Sequence, residues 1–150
     1  MNQKEKIKTI SQWKDPNSYL DTKLKFKLLT EGTVYGHLPS GKNNYSLGSS
    51  RIFKTNKGGM KDYEKSFAIQ AIILKGIFEI KEPFKGTLAL QAKVYFRDFR
   101  RDLDTILFCD LLQKHGIVEN DRSIRIKILD GINVDKVNPR IEFRLFQIYE

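Results

Sequence analysis

The densest group of chemically active side chains in the sequence is the run RRDLD, which holds Asp102 and Asp104 two positions apart. Alternate residues of an extended chain project to the same side, so strand geometry through this run would place both carboxylates together. Two neighbouring anions repel each other unless a cation compensates them. Carboxylate oxygens suit Mg²⁺ or Mn²⁺, which bind through a few such ligands together with substrate phosphates. The pair therefore indicates a site for a divalent cation.

Three further residues extend this pattern toward phosphate chemistry. Asp121 follows Asp104 by 17 residues, in a turn that could bring a third carboxylate back toward the pair. Arg100 and Arg101 precede the pair, and guanidinium groups match phosphate oxygens in a bidentate manner. Together these residues predict metal-assisted phosphodiester hydrolysis, in which the metal activates water and stabilises the leaving oxygen.

The same aspartates also have a structural interpretation. Asp104 could cap a helix, Asp102 could pair with a neighbouring arginine, and Asp121 could be an ordinary turn residue. A pair of aspartates alone does not separate the two interpretations. The flanking arginines, the position between a strand and a helix, and the third aspartate add support to the catalytic interpretation, and both interpretations stay open.

Residue types and spacing argue against several other kinds of site. His37 and His115 stand at no metal-ligand spacing and have no cysteine partners, which argues against zinc. The lone cysteine, Cys109, lies inside an apolar helical run and is expected in the core rather than as a nucleophile. No glycine-rich phosphate-binding motif occurs, so no nucleotide cofactor is expected.

Length, charge and composition narrow the class of protein. The chain has 150 residues, which suits a single domain, and its formal net charge is +9. A single cysteine excludes a disulfide framework and fits a reducing, cytoplasmic location. We expect no membrane contact, because no apolar run is long enough to span a bilayer and the start lacks a signal peptide's apolar core. Residues 1–65 carry 13 basic and 6 acidic side chains, which favours a polyanionic partner such as nucleic acid.

Hydrophobic periodicity predicts the elements that would position these residues. Apolar spacings of three and four predict a helix over residues 60–78, and alternation predicts a strand over residues 88–96. A second helix is expected over residues 104–115, with Asp104 at its start and Gly116 just past its end. Further strands are predicted over residues 23–29, 51–55, 124–129 and 141–146.

The interleaved order of these elements predicts an α/β (α+β) fold. We expect a single domain over residues 21–150, with a mixed β-sheet and two main helices packed on one face. Residues 1–20 are polar and are predicted to form an N-terminal extension.

Three segments, in order, resemble the RusA-type Holliday junction resolvases, which are small endodeoxyribonucleases often carried by phages and prophages. The segments are RRDLD, the helix end QKHGIV and the turn NDRSI. Upstream, LPSGKNNY is similar to the family's early loop, and residues 51–70 are similar to its strand, glycine turn and first helix. The resemblance covers roughly residues 25–148, and its specific part is the set of carboxylates.

The resemblance implies a homodimer of mixed α/β fold that binds four-way DNA junctions by their structure. It also implies paired symmetric nicks, dependent on Mg²⁺ or Mn²⁺, in DNA recombination and repair. The family's three essential aspartates match Asp102, Asp104 and Asp121, and the arginine before the first matches Arg101. One position departs from the family, because the lysine that its helix usually carries is Phe108 here.

We therefore expect a metal-dependent endonuclease acting on branched DNA, in which the three aspartates hold one or two Mg²⁺ ions. Basic side chains would follow the DNA backbone without reading sequence, and Lys42 or Lys61 could also supply the missing helix charge. Two alternatives stay open: a branched-DNA-binding protein without catalysis, and a nuclease specific for flaps or other branched structures. The residues expected to contact DNA are Lys42, Arg51, Lys54, Lys57, Lys61 and Arg100.

Overall fold

The computed structural model describes residues 13–18, 23–39, 45–47, 52–54, 59–98 and 105–149. Within these residues the chain forms strands and helices in an interleaved order, as predicted. They are, along the chain, β1 (Lys25–Tyr35), β2 (Tyr45–Leu47), β3 (Ile52–Lys54), α1 (Met60–Ile77), β4 (Leu88–Phe96), α2 (Ile106–Lys114), β5 (Ile124–Val134) and β6 (Arg140–Tyr149).

Four of these strands form a mixed sheet in the order β1-β6-β4-β5, and β2 pairs separately with β3. β6 is antiparallel to both of its neighbours, β1 and β4. β4 and β5 run parallel, and α2 lies in the crossover between them, as a parallel pair requires. The predicted α+β fold with one mixed sheet and two main helices is confirmed.

The core lies between the helices and one face of the sheet. Phe67 of α1, Phe108 of α2 and Phe143 of β6 meet edge to face, with ring centroids 5.7 and 5.3 Å apart. Such contacts add stabilisation beyond the burial of apolar area. The alternation predicted for β4 is confirmed, since its core-facing residues are Leu88, Leu90, Ala92, Val94 and Phe96.

The two helices begin and end close to their predicted limits. α1 buries Met60, Tyr63, Phe67 and Ala71, at the spacings that predicted it. α2 is shorter than expected, because it begins at Ile106 with Thr105 at its N-cap, and Asp104 lies outside the described residues. Gly116 has the expected positive φ just past the end of α2. Neither helix in the described part of the chain is long and apolar enough to cross a membrane.

Part of the predicted N-terminal extension contacts the face of the sheet opposite the helices. Gln91 of β4 donates a hydrogen bond from Nε2 to the Lys14 carbonyl oxygen, at 2.9 Å. Trp13 lies 4.8 Å from the Lys93 ammonium, measured to the ring centroid. Residues 13–18 therefore pack on this second face, while the boundary between residues 20 and 21 stays a prediction.

Candidate active site

The residues predicted to do chemistry fall partly outside the described structure. Asp102 and Asp104 lie in residues 99–104, which are not described. Lys61 lies at the exposed start of α1, and Asp121 lies between α2 and β5. Arg100, Arg101, Lys42, Arg51, Lys57 and the side chain of Lys54 also lie outside the described part.

Asp121 is the first residue of a short 3₁₀ turn that is hydrogen-bonded to α2. Its backbone N–H donates to Gln113 Oε1 at 3.0 Å, and the Asn120 side chain accepts from the Arg122 N–H at 3.0 Å. The side chain is half-buried, and its negative charge acts on the Cys109 thiol in the first turn of α2. Asp121 therefore lies along one face of this helix, beside Cys109 and Gln113.

That face of α2 leads back to the residues that the structure does not describe. The Cys109 N–H donates to the Thr105 carbonyl oxygen at 3.0 Å, so Thr105 stands one turn before Cys109. Asp104 is covalently joined to Thr105. Asp121 is thus bonded to the last turn of α2 through Gln113, and the chain enters the helix at Thr105, about 12 Å away along the helix axis.

The side chain of Asp121 is the part of this turn that could bind a cation. No lysine or arginine in the described ranges forms an ion pair with it. A half-buried, unpaired carboxylate is a suitable oxygen ligand for Mg²⁺. No group of three or more acidic, histidine or cysteine side chains close enough to hold a metal occurs among the described residues. Of the three aspartates predicted to bind the metal, Asp121 is therefore the one whose position the structure describes.

Lys127 is a cation at this site that the sequence analysis missed. It is exposed on β5, and its positive charge acts on the Cys109 thiol. Burial raises the pKa of the Cys109 thiol, an effect that Lys127 opposes and Asp121 reinforces. The sequence contains only a weak signal for Lys127. Its alternation with Ile126 and Ile128 indicates the face of the strand on which it lies, but not which helix packs on that face.

Phe108 occupies the position at which the resembling family carries a lysine, and it is fully buried against Phe67 and Phe143. Its neighbour in the helix, Cys109, is also buried, as predicted. A cation at position 108 would therefore point into the core. Lys127 brings a positive charge to the same turn of α2 from the adjacent strand.

A separate cleft of about 560 Å³ lies where β4 ends and α1 begins. The Arg97 N–H donates to His37 Nδ1 at 3.2 Å, which places the proton of the neutral ring on Nε2. Burial raises the pKa of the Tyr63 hydroxyl, and this group has no hydrogen-bond partner among the described residues. The lining residues are Gly36, His37, Gly59, Asp62, Tyr63, Ser66, Arg97 and Asp98.

This cleft and Asp121 lie at opposite ends of the parallel pair. Asp121 precedes Ile124, which pairs with Leu88 at the start of β4, whereas the cleft lies beyond Phe96. The nine residues of β4 separate these ends by about 26 Å. The structure therefore does not join Asp121 to Asp62 or Asp98 in one site, and residues 99–120, which include α2, connect the two regions along the chain.

Comparison with known proteins does not assign the chain to a family. No model of a known protein family matches the chain, and no curated protein is significantly similar to it.

Proposed function

We propose that the chain is a cytoplasmic, Mg²⁺-dependent endodeoxyribonuclease that cuts branched DNA, with four-way junctions as its preferred substrate. The observation that carries the proposal is the half-buried Asp121 carboxylate, which has no ion-pair partner among the described residues and lies beside α2, where its charge acts on Cys109. In the sequence, Asp104 directly precedes Thr105, the N-cap of the same helix, and Asp102 stands two residues before Asp104. The resemblance to RusA-type resolvases independently selects the same three aspartates.

In this proposal Asp102, Asp104 and Asp121 hold the metal, with Mn²⁺ as a possible substitute for Mg²⁺. When bound, the metal would polarise the scissile phosphate and lower the pKa of a coordinated water. Arg101 would bind a non-bridging oxygen of that phosphate through its guanidinium. Lys127 would oppose the negative charge that develops beside α2, which is the contribution expected of the family's helix lysine.

A polar cleft of about 340 Å³ supports a path for the DNA backbone beside Asp121. Two exposed arginines, Arg122 and Arg125, line it together with hydroxyl and amide groups. Guanidinium and hydroxyl donors bind phosphate oxygens without reading bases. The lining residues are Gly86, Thr87, Asn120, Arg122, Ser123 and Arg125.

An apolar stripe on α1 supports the homodimer. Ile69, Ile72, Ile73 and Ile77 are each between 57% and 71% exposed, on the side of the helix that faces away from the core. A contiguous apolar patch of this kind is typical of an interaction surface. A second copy of the chain is the proposed occupant, because paired nicks in opposing strands require two sites.

Binding without catalysis is the second candidate. The observation that favours it is Phe108, since the buried phenyl ring leaves α2 without the family's lysine. This candidate shares the DNA path and the dimer, and differs only in the absence of metal-dependent cutting.

Replacement of Asp121 tests the proposal. We expect Asp121→Asn to reduce Mg²⁺-dependent cleavage of a labelled four-way junction at least about 100-fold, because one ligand charge is lost. Junction binding should be kept or strengthened, since the variant repels phosphate less. Asp130→Asn, an exposed position on β5, is the matched control and should cut normally. Cutting by Asp121→Asn at the wild-type rate would overturn the assignment.

A further inference from the structure

A second large cleft, of about 710 Å³, lies on the face of the sheet opposite the helices. It opens where β1 begins and β6 ends, because Lys25 pairs with Tyr149 at this corner. Trp13, Lys23, Phe26 and Arg144 are among its lining residues. None of them belongs to the candidate active site, and a volume of this size is within the range of ligand-binding clefts.

One wall of this cleft is the segment of residues 13–18, which is tied to the sheet at two points. Gln91 Nε2 donates to the Lys14 carbonyl oxygen at 2.9 Å, and Asn17 Nδ2 donates to the Leu24 carbonyl oxygen at 2.9 Å. Within the segment, Pro16 is buried. Trp13 directly precedes Lys14, one of the bonded residues, and its ring lies over the sheet beside Lys93.

Aromatic rings and cations alternate across the floor of the cleft. The Trp13 ring lies 4.8 Å from the Lys93 ammonium and 5.8 Å from the Arg144 guanidinium. Arg144 also lies 5.0 Å from the Phe146 ring, which meets Phe26 edge to face at 6.0 Å. Cation–π contacts of this kind orient the rings, and Trp13 remains only half-buried.

The rim of the cleft is positively charged. Its described lining contains three cations, Lys23, Lys25 and Arg144, and one carboxylate, Asp15. The Asp15 carboxylate accepts the Asn17 N–H at 2.8 Å, within the wall itself. Lys23 and Lys25 are both exposed at the mouth.

We propose that this cleft binds single-stranded DNA, with a base stacked on Trp13 and phosphates held by Lys23 and Lys25. Aromatic platforms beside a positive groove are the features that recognise single strands, because unpaired bases expose their flat faces. Tyr149, which is 47% exposed at the same corner, provides a second ring. The inference rests on the proposed function only for the source of the strand, which would be the unpaired arm of a branched substrate.

The test uses Trp13 as its own reporter, since it is the one tryptophan of the chain. We expect the oligonucleotide (dT)8, added in EDTA, to quench tryptophan fluorescence, whereas duplex DNA of equal charge and dextran sulfate should not. In the Lys23→Ala/Lys25→Ala variant, the slope of log Kd against log salt should fall by about 1.4. Lys136→Ala, at the opposite end of the sheet in the turn before β6, should behave as wild type.

A second variant separates stacking from charge. With a fluorescently labelled (dT)8 and anisotropy as the readout, Trp13→Ala should weaken binding about tenfold and Trp13→Phe should restore most of it. Circular dichroism would establish that both variants are folded. The proposal is overturned if (dT)8 leaves the fluorescence unchanged, if dextran sulfate quenches it equally, or if the lysine variant keeps the wild-type salt slope.

Junction cleavage, measured in parallel, distinguishes this proposal from the proposed nuclease activity. Quenching by (dT)8 without any Mg²⁺-dependent cutting supports the cleft and overturns the nuclease. Cutting without quenching supports the nuclease and overturns the cleft.

Discussion

At the scale of single residues, the candidate site depends on charges that meet around one turn of α2. The charges of Asp121, in the turn before β5, and of Lys127, on β5, both act on the Cys109 thiol. The sequence predicts Asp121, because its residue type and spacing complete a set of carboxylates. It does not predict Lys127, because the contact between β5 and α2 depends on how the helix crosses the sheet.

The first prediction concerns Lys127. We expect Lys127→Met to lower kcat for junction cleavage about 100-fold, because one charge that stabilises the transition state is removed. Lys127→Arg should restore part of the rate, and Kd for the junction should change little. Lys81→Met, at an exposed position after α1, is the matched control. Equal rates for Lys127→Met and wild type would exclude this role.

At the scale of the elements, periodicity predicts α1 and β4 closely, because each has a one-sided apolar pattern over many residues. The start of α2 is predicted less well, since the helix is expected from Asp104 and in the structure begins at Ile106 with Thr105 as its N-cap. β1 also departs from simple alternation. A bulge between Leu28 and Thr30 changes its register, so that Phe26 faces the second cleft while Val34 packs in the core.

The second prediction concerns the turn between β5 and β6. Hydrogen bonds from the Asn138 and Val137 N–H groups, with the Arg140 guanidinium at 2.9 Å, hold the pKa of Asp135 below its ordinary value of 3.8. A lowered folded-state pKa stabilises the protein above pH 3.8, and that contribution is lost as the pH falls through the lowered value. We therefore expect Asp135→Asn to lower Tm at pH 7.

The pH dependence provides the control for this prediction. The difference in Tm between Asp135→Asn and wild type, followed by circular dichroism, should shrink as the pH is lowered through 3.8 and below. Asp130→Asn should show no such trend. A difference in Tm that is the same at pH 7 and at the lowest pH reached would contradict the assigned role.

At the scale of the whole molecule, the sheet separates two candidate functional surfaces. The helices and Asp121 occupy one face, and the aromatic cleft with Trp13 occupies the other. The sequence does not predict the second surface, because Trp13 meets Lys93 and Arg144, which are distant along the chain. The sequence does show that the chain is basic, with a formal net charge of +9. This favours a polyanionic partner but does not indicate which surface would bind it.

The third prediction concerns assembly. We expect the wild-type chain to be a dimer in sedimentation velocity, and Ile72→Asp/Ile73→Asp to be a folded monomer. Two charges buried at the centre of an apolar interface would destabilise it, because neither would have a partner. Val137→Asp, on a residue 94% exposed in a turn, should remain a dimer. A wild-type monomer at all concentrations tested would contradict the proposed dimer.

The most direct test of the central proposal is to map the cuts on a labelled four-way junction. The junction, a flap and a linear duplex would each be incubated with wild type and with Asp104→Asn, in Mg²⁺ and separately in Ca²⁺. We predict paired, symmetric nicks across the junction for wild type in Mg²⁺ alone. A junction that is bound but remains uncut by wild type in both Mg²⁺ and Mn²⁺ would contradict the proposed nuclease.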